Sequence, residues 1–207
     1  QRAQEVADLD SESVKSVELG LRAQRAGLSY ELIAYVMQRK NLIFRDSDFF
    51  NVADGETRHK GLEAALQYQI NEQWLWSMAA SAGEHRYEDD RLIGGVAIDG
   101  NDVDSAPSLV ANSQLRWSPR SNLSFELEWL KQDDYYTDAE NFHAYAGHSL
   151  FNLRAEWHLD STLKLTARVR NLTDKAYAER ADFSSFSGDR YFPGEPRSLY
   201  LGAHLSF

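Results

Sequence analysis

The sequence predicts an all-β fold: an antiparallel, up-and-down transmembrane β-barrel segment of about nine strands. Three observations lead there. Apolar residues recur at every second position along most of the chain, with almost no helical periodicity. The connections between these ladders alternate short and long. The positions between the apolar ones carry too much charge for a packed core, as at Glu126, Glu128, Arg154, Glu156, Lys164, Arg168 and Arg170.

The ladders follow in chain order. Val17, Leu19, Leu21 and Ala23 alternate with Glu18, Gly20, Arg22 and Gln24. A weaker pattern covers 28–40. Leu62, Ala64, Leu66, Tyr68 and Ile70 then alternate with Glu63, Ala65, Gln67 and Gln69. Weaker patterns return over 74–88 and 106–118. Leu123, Phe125, Leu127 and Trp129 enclose Ser124, Glu126 and Glu128. Phe151, Leu153, Ala155, Trp157 and Leu159 enclose Asn152, Arg154, Glu156 and His158. Leu163, Leu165, Ala167 and Val169 enclose Lys164, Thr166, Arg168 and Arg170. A final ladder runs Leu199, Leu201, Ala203, Leu205 and Phe207. Several of these exceed the roughly 5–6 residues common in globular strands, as expected of tilted barrel strands that project beyond a bilayer.

The short connections are Ala26-Gly27, Asn71 to Gln73, Ser118 to Asn122, and Asp160 to Thr162. Long ones cover 41–53, 89–105, 138–146 and 179–195. In a meander this puts every tight turn at one end and every long loop at the other, the asymmetry of bacterial outer-membrane barrels. Tyr68, Trp74, Trp76, Trp117, Trp129, Trp157 and Phe207 lie near the tight-turn ends or on the apolar register, where an interfacial girdle is expected. Core aromatics of a soluble β-sandwich would show the same positions, so that reading stays open here.

Composition removes other classes. A formal charge of -10 and no basic stripe argue against nucleic acid. The absence of cysteine excludes disulfide frameworks and thiolate chemistry. No apolar run is long enough for a membrane-crossing helix, which leaves spanning strands untouched. No G-x-S-x-G elbow or other catalytic arrangement is found, so no enzyme and no cofactor are expected. An odd strand count would leave residues 12–26 as an open edge, unsuited to lipid. The chain is therefore expected to be the C-terminal part of a larger barrel.

Five stretches carry a resemblance: "SVELGLRAQ" (16–24), "GETRHKGLEAALQY" (55–68), "FNLRAEWHL" (151–159), "VRNLTDKAYAERADF" (169–183) and "RYFPGEPRSLYLGAHLSF" (190–207). Together they resemble the C-terminal half of a TonB-dependent outer-membrane receptor. The run from Asn171 through Asp174 and Tyr177 to Pro193-Gly194, Pro196-Arg197 and Phe207 is the most specific part. The resemblance implies a 22-stranded barrel plugged by an N-terminal domain, of which this chain holds neither plug nor TonB box. It implies a Gram-negative outer-membrane location, energy from the TonB complex, and a ferric siderophore as cargo, with haem, cobalamin or a carbohydrate as alternatives. It further implies periplasmic tight turns, extracellular long loops, contact with outer-membrane lipid and lipopolysaccharide, and a terminal Phe207 read by the barrel-assembly machinery. A porin or adhesin closing by oligomerisation is the rival barrel.

Candidate ligand-binding residues lie in the long loops: Tyr135, Tyr136, Phe142, His143, Tyr145, Phe183, Phe186, Arg190 and Tyr191. Aromatic faces and cationic donors suit a large, planar, anionic iron chelate. Further loop residues of this kind are Phe44, Phe49, Phe50, His85, Arg86 and Tyr87. His143 and His148 near Asp133, Asp134 and Asp138 have the chemistry of a metal site, but a solvated polar loop is the favoured reading and no metal is expected there. "DGNDVD" (99–104) begins like a calcium loop and fails at its sixth and twelfth positions, Asp104 and Val110. Arg22, Arg154, Arg168 and Arg170 are expected to face the lumen and pair there with glutamates or with the absent plug.

Overall fold

The computed structural model describes residues 11–45 and 51–206. Its strands are β1 (Ser13–Arg25), β2 (Leu28–Arg45), β3 (Asn51–Gln69), β4 (Trp74–Tyr87), β5 (Leu92–Ile93), β6 (Val96–Ala97), β7 (Leu109–Arg120) and β8 (Leu123–Gln132). They continue as β9 (Tyr135–Tyr136), β10 (Ala144–Tyr145), β11 (His148–His158), β12 (Leu163–Arg170), β13 (Ala178–Ser184), β14 (Gly188–Pro193) and β15 (Ser198–Leu205). Nine of them form one antiparallel sheet in the order β1-β2-β3-β4-β7-β8-β11-β12-β15. Each long strand pairs with the next long strand along the chain, so the sheet is an up-and-down meander. The six short strands make three separate ribbons inside the long loops. Among the described residues the sheet is open, with β1 and β15 at its edges.

Register explains why alternation survives across the sheet. One cross-strand row reads Leu28, Tyr68, Trp76, Leu115, Leu127, Leu153, Val169 and Leu199, apolar from β2 to β15, with Arg25 at its β1 end. The row one residue away reads Gln24, Ser29, Gln67, Ser77, Gln114, Glu128 and Asn152, polar from β1 to β11. Because side chains alternate faces, the sheet has one oily and one wet surface. No protein layer covers the oily surface: Leu19 is 77% exposed, Leu62 64% and Leu201 76%. A soluble sandwich buries that surface against a second sheet. An uncovered patch of this extent is made for lipid. Even its tryptophans have partners, with Trp76 Nε1 donating to Ser113 Oγ at 2.9 Å and Trp129 Nε1 to Ser149 Oγ at 2.6 Å.

The tight-turn end carries a stacked belt. Trp74 and Trp117 stack at 5.7 Å between centroids, and Trp117 and Phe125 at 5.6 Å. The turns beneath have local causes. Ala26 and Gly27 both take positive φ, the two-residue hairpin geometry that follows the strand twist. Asn71 Oδ1 accepts from the amides of Gln73 and Trp74, and Asp160 Oδ1 from those of Thr162 and Leu163.

At the other end the oily band stops at Leu62 and Ala82, and charged pairs take over the same face. Lys60 meets Glu84 at 2.9 Å, Lys40 meets Glu56 at 3.0 Å, and Arg58 meets Glu88 at 3.3 Å. On the inner face Tyr35 crosses Gly61 and Gly83. A Cβ on Gly61 would stand 2.7 Å from the Tyr35 hydroxyl and 2.6 Å from the Ala82 carbonyl.

Several boundaries differ from the sequence reading. Most of the expected loop 41–53 is strand, since β2 and β3 pair on to Arg45 and Asn51 through two register shifts. The expected turn 118–122 contracts to Ser121 and Asn122 because β7 runs to Arg120 across another shift. Ile70 falls in a turn, and the last strand ends at Leu205. Phe49, Phe50 and Phe207 lie outside the described residues.

A charge on the oily face should cost far more than one on the wet face. Leu127→Arg is expected to destabilise the protein by about 2–4 kcal/mol, and Gln114→Arg by much less. Urea unfolding in phospholipid vesicles measures both; equal losses would contradict a lipid-facing register.

Candidate functional site

Hydrophobic packing is concentrated in the long loops. Tyr87, Ile93, Ile98 and Ala139 form one buried cluster, and Tyr135, Tyr145, Ala178 and Ala181 another. Backbone bonds knit the loops together: Ser105 N donates to Tyr136 O, Thr137 N to His143 O, and Phe183 N to Thr137 O. Asn141 exchanges two bonds with the Asp102 backbone, accepting from its N–H at 2.8 Å and donating to its carbonyl at 2.9 Å. These loops form a wall above the sheet.

Two tyrosines hold the final hairpin to that wall. The Tyr135 hydroxyl accepts from Ala181 N at 2.8 Å and donates to Ala181 O at 3.2 Å. Tyr145 does the same at Ala178, at 3.1 and 3.2 Å. Both rings are buried, so their direct role is to position β13 and β14. The base of the same hairpin is held by Asn171, which sits in the left-handed region that asparagine tolerates. Its side chain donates to Lys175 O and Glu195 O and accepts from Lys175 N. Asp174 Oδ1 accepts from Arg197 N at 3.0 Å, and Tyr177 lies flat on Gly194, where a Cβ would collide with the ring. The motif Asn171, Asp174, Tyr177, Gly194 and Arg197 is thus a clasp that returns the chain to β15.

What the clasp presents is a set of uncovered rings. Phe186 is 93% exposed, Phe142 71% and Tyr191 56%. His143 stacks on Phe183 at 3.6 Å with its Nδ1 3.0 Å from Asp189. Arg190 Nε donates to Asp182 at 2.5 Å, and Arg180 also pairs with Asp182 while its guanidinium covers Phe192 at 5.0 Å. Tyr136 is half-buried beside this group. Of the nine candidates, then, Phe142, Phe186 and Tyr191 are presented, Tyr136, His143, Phe183 and Arg190 are half-buried, and Tyr135 and Tyr145 are pinned inside. Arg180 and Phe192, register partners near the base of the hairpin, are not among the nine, although alternation across Gly188 marks a hairpin there.

The remaining loop acids and histidines have structural partners. Asn101 donates to Ala139 O, Asp102 pairs with Arg86, and Asp104 accepts from the Tyr87 hydroxyl at 2.6 Å. Burial raises the Asp104 carboxyl above its ordinary value. Asp138 caps the amides of Phe142 and His143. His148 lies 3.0 Å from the Tyr145 hydroxyl and 4.7 Å from the Tyr177 ring, and burial, with Lys131 nearby, lowers its pKa.

Below the loops the wet face holds a polar cavity of about 390 Å³, lined by Gln114, Glu126, Glu128, Asn152, Arg154 and Arg168. Glu128 accepts from Asn112, Gln114 and Asn152, and Glu126 holds Arg116 at 2.7 Å and Arg154 at 3.8 Å. Arg22 pairs with Glu31 and Arg170 with Glu195. Arg168 sits directly opposite Arg154 in register.

The family described as TonB dependent receptor-like, beta-barrel matches residues 2–172. This chain belongs to that family. No curated protein matches the sequence significantly. Among solved structures, the chain is similar to the ferric yersiniabactin uptake receptor FyuA from Yersinia pestis, at 18% identity and a TM-score of 0.81, over 95% of this chain and 30% of that one. It is similar to the ferric citrate transporter FecA at 20% identity and a TM-score of 0.81, over 94% and 31%. The copper transporter OprC aligns at 20% identity and a TM-score of 0.76, over 97% and 32%. The chain therefore spans about a third of the length of the structures it matches, and the likeness is one of fold.

Two outcomes test the loop architecture. Asn171→Ala removes three side-chain bonds and should loosen the last loop by about 2–4 kcal/mol. Limited proteolysis between 175 and 195 should then speed up in the intact receptor, and unchanged cleavage would contradict the clasp. His148 has a folded pKa below its unfolded one, so its contribution holds above the unfolded value and fades as pH falls below it. Protection factors of the amides of Tyr145, His148 and Tyr177, relative to intrinsic exchange at each pH, should fall as pH drops from 7 to 5, and His148→Gln should abolish that fall.

Proposed function

We propose that this chain is the ligand-capturing and lumen-lining part of a TonB-dependent transporter of ferric siderophores in the Gram-negative outer membrane. The observation that carries the reading is the last hairpin and its surroundings: uncovered Phe142, Phe186 and Tyr191, with the guanidiniums of Arg180 and Arg190 on the ribbon's other face. Flat rings and cations on one rigid wall offer stacking, cation–π contact and charge-assisted bonds to a bulky anionic chelate. The similarity to FyuA, a ferric yersiniabactin uptake receptor, and to FecA, a ferric citrate transporter, supports the same cargo class.

Transport begins with capture at this hairpin. The chelate then moves past the carboxylates and arginines of the wet face once a plug, supplied by the rest of the receptor, is rearranged by the TonB complex. The oily face meets lipid, and the charged rim around Lys60, Glu84, Arg58 and Glu88 meets lipopolysaccharide headgroups. Phe207 serves the barrel-assembly machinery. These roles are transport and reception, with no chemical conversion of the cargo.

Binding of iron-55 complexes of citrate, a catecholate and a phenolate to cells expressing the receptor tests the reading. Phe186→Ala and Phe142→Ala should each weaken the preferred complex by roughly 3- to 10-fold, the worth of one aromatic contact. Their near-complete exposure leaves the fold intact. Binding of haem or a corrinoid in place of all three iron chelates would overturn the cargo class.

A further inference from the structure

We propose that Met37, His59 and His85 form a soft-metal site on the inner wall at the extracellular rim, able to bind one monovalent copper ion. The three residues lie in one cross-strand row on β2, β3 and β4: Met37 is the register partner of His59, and His59 of His85. All three belong to the inward register, one pair above the Gly61–Gly83 pair that Tyr35 crosses. The outward neighbours at this level are Lys60 and Glu84, so the row stands beyond the oily band.

The two imidazoles are arranged as a chelate. Their Nδ1 atoms face one another at 2.9 Å. Nitrogens bound to one ion at about 2.0–2.1 Å stand about 3.3 Å apart at a tetrahedral angle, so an ion would replace the proton shared in this contact once the rings part by a few tenths of an ångström. Thr57 Oγ1 lies 2.9 Å from His59 Nε2, the second-shell contact that orients a metal-binding imidazole.

The donor set selects the ion. Among the described residues no group of three His, Cys, Asp or Glu gathers for a metal, so a borderline ion such as zinc lacks its usual set. The third donor the register supplies is the Met37 thioether, which favours a soft ion. All three donors are uncharged. The nearest carboxylate, that of Asp102, is held by Arg86 at 3.2 Å, so little free negative charge is left to hold a divalent ion. A monovalent, polarisable cation fits best.

The intact receptor in detergent, kept anaerobic, should retain one equivalent of Cu(I) against a colorimetric chelator. X-ray absorption should show nitrogen with one sulfur scatterer. Met37→Leu preserves volume and should weaken retention by at least about 10- to 100-fold, and His85→Gln by more. Heat-modifiable migration on gels verifies that both variants fold. No retention against the chelator, a nitrogen-only spectrum, or equal retention in wild type and Met37→Leu would overturn the assignment.

Discussion

Hydrocarbon offers no partner to a backbone amide or carbonyl, and this requirement governs the rest of the molecule. Each polar backbone group in the oily band must be paired with a neighbouring strand. Long, uninterrupted pairing follows, as in the thirteen register pairs that join β1 to β2. Once pairing is unbroken, side chains alternate strictly, and the row from Leu28 to Leu199 stays apolar while the row from Gln24 to Asn152 stays polar. Irregularities gather outside the band: the shifts in β2–β3 pairing lie beyond Arg39, and that in β7–β8 lies beyond Trp117.

A consequence is that the two halves of the structure are stabilised differently. Among the described residues the sheet has no packed protein core, because its oily face is made for lipid and its other face is wet. The loops cannot rely on either, so they build small cores of their own around Tyr87 and Tyr135. Side chains there substitute for ladder bonds. Tyr135, Tyr145, Asn141 and Asn171 each satisfy backbone groups on a distant segment, which makes the loop wall rigid enough to hold Phe142 and Phe186 out in solvent. Preorganised rings lose less freedom when a ligand arrives.

Legibility in the sequence tracks these two regimes. The nine sheet strands were readable because period 2 is imposed over many residues by one physical boundary. The short ribbons β5–β6 and β9–β10 were not, since two-residue strands carry no period. Of the nine candidate ligand residues, composition alone could not separate Phe186, bare at a tip, from Tyr135, buried beneath it. Both are aromatic residues in a loop. The specific motif at Asn171, Asp174, Tyr177 and Gly194 proved to be a folding device that returns the chain, which accounts for its silence about cargo.

By itself the sequence determined the fold class, the two faces and the sorting of turns from loops, because alternation and turn chemistry are local and repeat along the chain. Tertiary structure alone decided which aromatic rings are presented and which are pinned. It also brought Met37, His59 and His85, from three different strands, into one row. Such outcomes depend on cross-strand register and on loop-to-loop hydrogen bonds, and residues far apart in sequence leave no local pattern of meeting.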